Sequence, residues 1–160
     1  MRVMLNAFAR LRRLAADQRG SMVVETAIIT PVLVLMSLGT FQVSKLVARQ
    51  AELDGAAAEA AAIAIASAPD TAAKRTTLQQ VIMTSTGLSS SQVTISAAFR
   101  CNSSASYVTA SSSCASGVVS HFVKIYVTDT FTPTWVKFGV GSNINYRVTR
   151  YVEFAQADIP

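Results

Sequence analysis

The chain has 160 residues, enough for one modest domain and an appendage, and only 14% of its side chains are charged against 51% apolar. That balance argues against a freely soluble enzyme and for a membrane segment. The net charge of +5 is local: five arginines (Arg2, Arg10, Arg12, Arg13, Arg19) and one acid (Asp17) precede Gly20, leaving nine basic and eight acidic side chains from Ser21 onward. The basic balance is therefore a property of the leader, and no nucleic-acid-binding face is expected.

The first predicted element is apolar. Thr26 to Ser44 is a run of 19 uncharged residues, and Glu25 is the one formal charge between Ser21 and Ser44. As a helix this run spans about 28 Å, close to the hydrocarbon thickness of a bilayer. The arginine-rich flank places the leader in the cytoplasm and everything after about Lys45 outside it. A cleaved secretory signal is the ordinary alternative. Its nearest A-x-A-like site, around Ala64 to Ala68, lies about twenty residues past the apolar run, and a signal core has no use for an acid near its start. A plain uncleaved anchor is the other alternative.

Beyond Lys45 an alanine-rich helix is expected over Ala48 to Ala68, ended by Pro69, with Gly55 as a weak point. Pro69-Asp70-Thr71 offers caps for a second helix, Ala72 to Thr86, stopped by Gly87 and striped by Leu78, Val81 and Ile82. Three alternating stretches then read as half-buried strands. In Gln92 to Phe99 one face carries Val93, Ile95 and Ala97. In the second, Val119, His121, Val123, Ile125 and Val127 oppose Phe122, Lys124 and Tyr126. In the third, Tyr146, Val148, Arg150, Val152 and Phe154 alternate with Arg147, Thr149, Tyr151 and Glu153. The expected fold is α+β: a long N-terminal transmembrane and stalk helix, a short second helix and an antiparallel sheet of about three strands.

The Ser-rich loop between the first two strands holds Cys101 and Cys114. In an exported head a disulfide is the natural reading, with two free thiols as the alternative; one histidine and no further cysteine pair leave a metal site unsupported. The next loop carries Trp135, Val136 and Phe138, which either cover an open end of the core or form a patch for another subunit. No nucleophile with its base, paired carboxylates or Gly-rich phosphate loop is present, and His121 sits mid-strand on an aliphatic face. No enzyme, catalytic residue, metal, cofactor or small-molecule substrate is expected.

The basic leader, Arg19-Gly20, a small residue at Ser21, Glu25 five positions after the glycine and Pro31 inside the apolar run together resemble the start of a class III prepilin. More narrowly, they resemble the TadE-like minor pilins, or pseudopilins, of tight-adherence (Flp, type IVc) pili. The specific motif covers about Arg19 to Pro31. The resemblance implies that a prepilin peptidase cuts between Gly20 and Ser21, dividing the chain into a leader (1–20), a transmembrane and stalk helix (21–68) and an extracytoplasmic α+β head (69–160). It implies that Glu25 meets a free N-terminal amine during assembly, and that Pro31 kinks or softens the span. The implied partners are the inner membrane, the peptidase, the major Flp-type pilin, other minor pilins and the assembly platform. The implied location is the inner membrane with a periplasmic head, and the cell surface once in a pilus. Independently of the family, Glu25 has plainer readings, since its carboxylate can snorkel or favour the helix N-terminus through the macrodipole. An uncleaved, membrane-anchored periplasmic accessory or binding protein is the competing function.

Overall fold

The computed structural model describes residues 19–139 and 141–159, without the side chains of residues 19–21 and 138. The leader expected at 1–20 therefore lies almost wholly outside the described residues. Two compact units are present, residues 1–44 and 45–160. The expected α+β arrangement is observed: helix α1 (Arg19–Ser67), helix α2 (Ala72–Thr86), and strands β1 (Val93–Cys101), β2 (Gly117–Phe131) and β3 (Ile144–Ile159).

Within the first unit, α1 presents its apolar side chains outward: Met22, Ile28, Leu35, Met36 and Phe41 are all more than half exposed. The helix is long and apolar enough to cross a membrane, with a mean hydropathy of 2.0 in its most apolar window and none of that window buried.

The second unit is a two-layer sandwich built on an antiparallel meander ordered β1-β2-β3. One sheet face supplies Val93, Val123, Ile125, Val127, Val148 and Val152 to a single core. The C-terminal part of α1 meets them with Leu53, Ala57, Ala60 and Ala64, spaced four, three and four residues apart on one side of the helix. Small alanines there let the helix backbone sit close to the sheet. Gly55 does not interrupt α1, and open space surrounds the position a Cβ would take.

Helix α2 has the bounds that its caps predict. The Thr71 hydroxyl accepts from the Lys74 amide at 3.4 Å, and Gly87 closes the helix in the left-handed region at φ 69°. Its buried stripe is Leu78, Ile82 and Thr86; Val81 is only half-buried. Thr86 tolerates burial because its hydroxyl donates to the Ile82 carbonyl at 2.7 Å.

The third strand departs from simple alternation. Register shifts between His121 and Phe122, which pair with Ala155 and Glu153, so Phe154 is the extra residue of a β-bulge. Phe154 still packs against the core, but Arg150, expected on the same face, is exposed. Phe131, at the end of β2, packs on the core, and Pro133 in the β2–β3 loop is fully buried. Trp135 and Val136 are half-buried and outside the core, and the side chain of Phe138 lies outside the described residues.

Cys101 and Cys114 form a disulfide with Cα atoms 5.4 Å apart, closing the β1–β2 loop. Asn102 fastens the same loop, accepting from the Val118 amide at 2.9 Å and donating to the Ser116 carbonyl at 3.2 Å. Gly117 is required beside it, because a Cβ there would collide with the Asn102 amide. Replacing both cysteines by serine is expected to destabilise this unit by about 3 kcal/mol, the loop-entropy value for so short a ring. Denaturant titrations of the two proteins read it directly: coincident midpoints would contradict the expectation.

Candidate functional site

The residues that the sequence singles out lie along the first turns of α1. The described part of the helix includes Arg19, Gly20 and Ser21, so the Gly20–Ser21 peptide is helical. Proteolysis needs extended backbone, so a cut at this peptide would require the helix to open locally, and a glycine there lowers the cost by about 1 kcal/mol relative to alanine. The side chain of Ser21 lies outside the described residues. Glu25 follows one turn on, about 6 Å along the axis. It is exposed, and its carboxylate has no hydrogen bond or ion pair with any described residue.

The neighbouring polar groups behave differently. Thr26, Thr30, Ser37 and Thr40 each donate their hydroxyl to the carbonyl four residues back, at 2.6 to 2.9 Å. Those hydroxyls are therefore satisfied without water, which is what a hydrocarbon environment demands. Glu25 has no such internal solution. Helix α1 runs unbroken through Pro31, whose ring removes the amide that would have bonded the Ala27 carbonyl. One rung of the ladder is missing just where Thr30 adds its hydroxyl to the Thr26 carbonyl.

A second constellation, not anticipated from the sequence, pins α1 to the sheet within residues 45–160. Arg49 donates from Nε to Asp129 at 2.7 Å and from Nη1 to the Thr86 carbonyl at 3.1 Å, and pairs with Glu52 at 3.0 Å. The other Asp129 oxygen accepts from Gln92 at 3.1 Å. The Tyr146 hydroxyl donates to the Leu46 carbonyl at 3.0 Å. Burial works against the Arg49 charge, but its bonds to Asp129 and Glu52 outweigh that and hold its pKa above the ordinary arginine value. Burial also raises the Tyr146 pKa, aided by the Asp129 charge, so the phenol stays protonated and keeps donating.

His121 is half-buried, edge-on to Phe99 at 5.0 Å and to Phe154 at 6.2 Å between ring centroids. Among the described residues no three His, Cys, Asp or Glu side chains come together as a metal site.

Comparison with known proteins adds one finding. Residues 20–62 match the family described as TadE-like protein. The match starts at the glycine of the Gly20–Ser21 pair and takes in Glu25, Pro31 and most of α1, so the family resemblance read from residues 19–31 holds over a longer stretch than the motif itself. No curated protein and no solved structure matches the chain.

Proposed function

We propose, from the premise that α1 is a TadE-like helix, that this chain is a pilin-like structural subunit associated with a tight-adherence pilus. It would be inserted as a prepilin with its leader in the cytoplasm, trimmed after Gly20 and held in the membrane by α1 until assembly. It would work without catalysis, through contacts with the inner membrane, the peptidase, the major pilin, other minor pilins and the assembly platform. The observation that carries the reading is the coincidence of the family match with an exposed apolar run in which Glu25 is the one formal charge from Ser21 to Ser44 and has no partner among the described residues.

Trimming supplies that partner. Hydrolysis of the Gly20–Ser21 bond leaves an ammonium on Ser21, within one turn of the carboxylate. Neighbouring trimmed subunits present the same cation, so an acid in the apolar layer pairs only with correctly processed chains. N-terminal sequencing of the protein from pilus-bearing cells is expected to begin at Ser21. A mature chain that starts at Met1 would instead support the uncleaved periplasmic accessory protein, and one that starts near Pro69 a secreted domain.

A further inference from the structure

The sheet face turned away from the helices carries an organised set of side chains with no role in the reading above. The loop after β1 folds back so that Tyr107 stacks on Tyr151, with centroids 4.0 Å apart and planes 11° from parallel, and meets Phe122 edge-on at 5.1 Å. Arg100 lies over the Phe122 ring at 5.1 Å. The Lys124 ammonium sits between two rings, 5.6 Å from the centroid of Tyr126 and 5.8 Å from that of Tyr151. Arg147 is exposed on the same face, opposite Thr128.

Lys124 and Arg147 are not neutralised by any described residue: neither has a carboxylate within ion-pair distance among them. The buried Nε of Arg100 has no acceptor. Of the acids on this face, Asp158 lies at the far end of β3 and Glu153 is already engaged. Hydrogen bonds from Gln156 and Ser120, with the Arg100 charge, hold the Glu153 carboxyl below the usual carboxylate range.

We infer that this outer sheet face is a docking surface for an extended acidic peptide segment of a partner protein. Phe122, Lys124 and Tyr126 on β2, and Arg147, Thr149 and Tyr151 on β3, recur at every second residue. An extended peptide laid along the strands shows its own alternate side chains at that spacing of about 6.8 Å, so carboxylates four residues apart, about 13.6 Å, meet Lys124 and Arg147. Tyrosine and arginine are the residues enriched at interface centres, and Tyr107 and Tyr151 are 39% and 38% exposed here. A polynucleotide is a poorer match, because base stacking needs open ring faces and Tyr107 and Tyr151 already cover each other. The inference goes beyond the pilus reading and does not depend on trimming at Gly20.

The test uses the full chain in detergent micelles and a fluorescent peptide of about ten residues alternating glutamate and threonine. Anisotropy is expected to report binding that weakens as salt rises. Lys124→Glu with Arg147→Glu is expected to lower affinity about tenfold or more. Arg147→Glu alone, at an exposed position, is expected to give a smaller loss of the same sign. Arg150→Glu, on the other face of the same strand, is expected to change nothing. Unaltered binding by the double variant would overturn the inference. So would binding of a polyuronate or an oligothymidylate without the peptide, or no peptide binding at low salt.

Discussion

A Glu25→Ala chain is expected to be trimmed after Gly20 like the parent and yet to be missing from pili. On the proposed reading the peptidase would work at the Gly20–Ser21 bond, one turn away, whereas the carboxylate would be used only once a free amine exists. An ionised acid within the apolar layer costs roughly 3 kcal/mol if it stays unpaired. Pairing with the Ser21 ammonium of a neighbour recovers most of that on assembly. Removing the acid removes the recovery, and the expected fall in pilus-associated protein is about tenfold or more for 1.4 kcal/mol of lost preference. Glu25→Gln keeps the shape without the charge and is expected to behave like alanine. Gly20→Ala should fail earlier, accumulating as the longer, untrimmed chain. If Glu25 only favoured the helix N-terminus, its loss would cost about 0.5 kcal/mol and leave assembly normal. Immunoblots for chain length and quantitation of sheared surface pili separate these outcomes. Normal pili from the Glu25 variants would remove the proposed mechanism.

The second large effect is expected at Asp129. Its carboxylate takes one bond from Arg49 and one from Gln92, and both it and Arg49 are mostly buried, with side chains 16% and 25% exposed. Asp129→Ala removes the acceptor of the Arg49 Nε, the Gln92 side-chain amide and the Thr130 backbone amide in a mostly buried junction, leaving Arg49 the Thr86 carbonyl and the more exposed Glu52. The expected cost to residues 45–160 is about 2–3 kcal/mol. Asp129→Asn keeps one acceptor and is expected to cost about half as much. Arg49→Met with Asp129→Leu removes both charges together and is expected to recover part of the loss, since no ion is left unpaired. Urea titrations that place Asp129→Ala within about 0.5 kcal/mol of the parent would show the junction to be an ordinary surface pair.

Local chemistry explains which elements were legible beforehand. Thr71 and Gly87 bound α2 through interactions within one turn, so a short sequence window contains the whole cause. The valine and isoleucine alternation of β2 is equally local, because one face must be dry. The bulge at Phe154 was not legible: a single extra residue leaves the composition of β3 unchanged while reversing every side chain beyond it. Arg150 keeps the face that alternation gives it, opposite Ile125, yet is exposed, since alternation fixes a direction but not whether the opposite layer reaches that far.

Contacts across long separations were invisible for a different reason. Arg49 and Asp129 are 80 residues apart, and Tyr146 and Leu46 are 100 apart. Nothing in either neighbourhood marks them, because arginine beside glutamate on a helix reads as a solvated pair. Tyr107 was hidden in a Ser-rich loop whose composition suggests only exposure. Its stacking on Tyr151 depends on the disulfide and Asn102 folding that loop back over the sheet.

By itself the amino-acid order determined the apolar run, the one acid at its start and the three-strand pattern, since each follows from periodicity or transfer cost over a few consecutive residues. Tertiary structure alone decided which groups meet: the Arg49–Asp129 clamp, the bulge that turns β3, and the aromatic and cationic outer face. Such meetings depend on chain folding that brings distant residues within about 4 Å of one another, and no window along the chain encodes that distance.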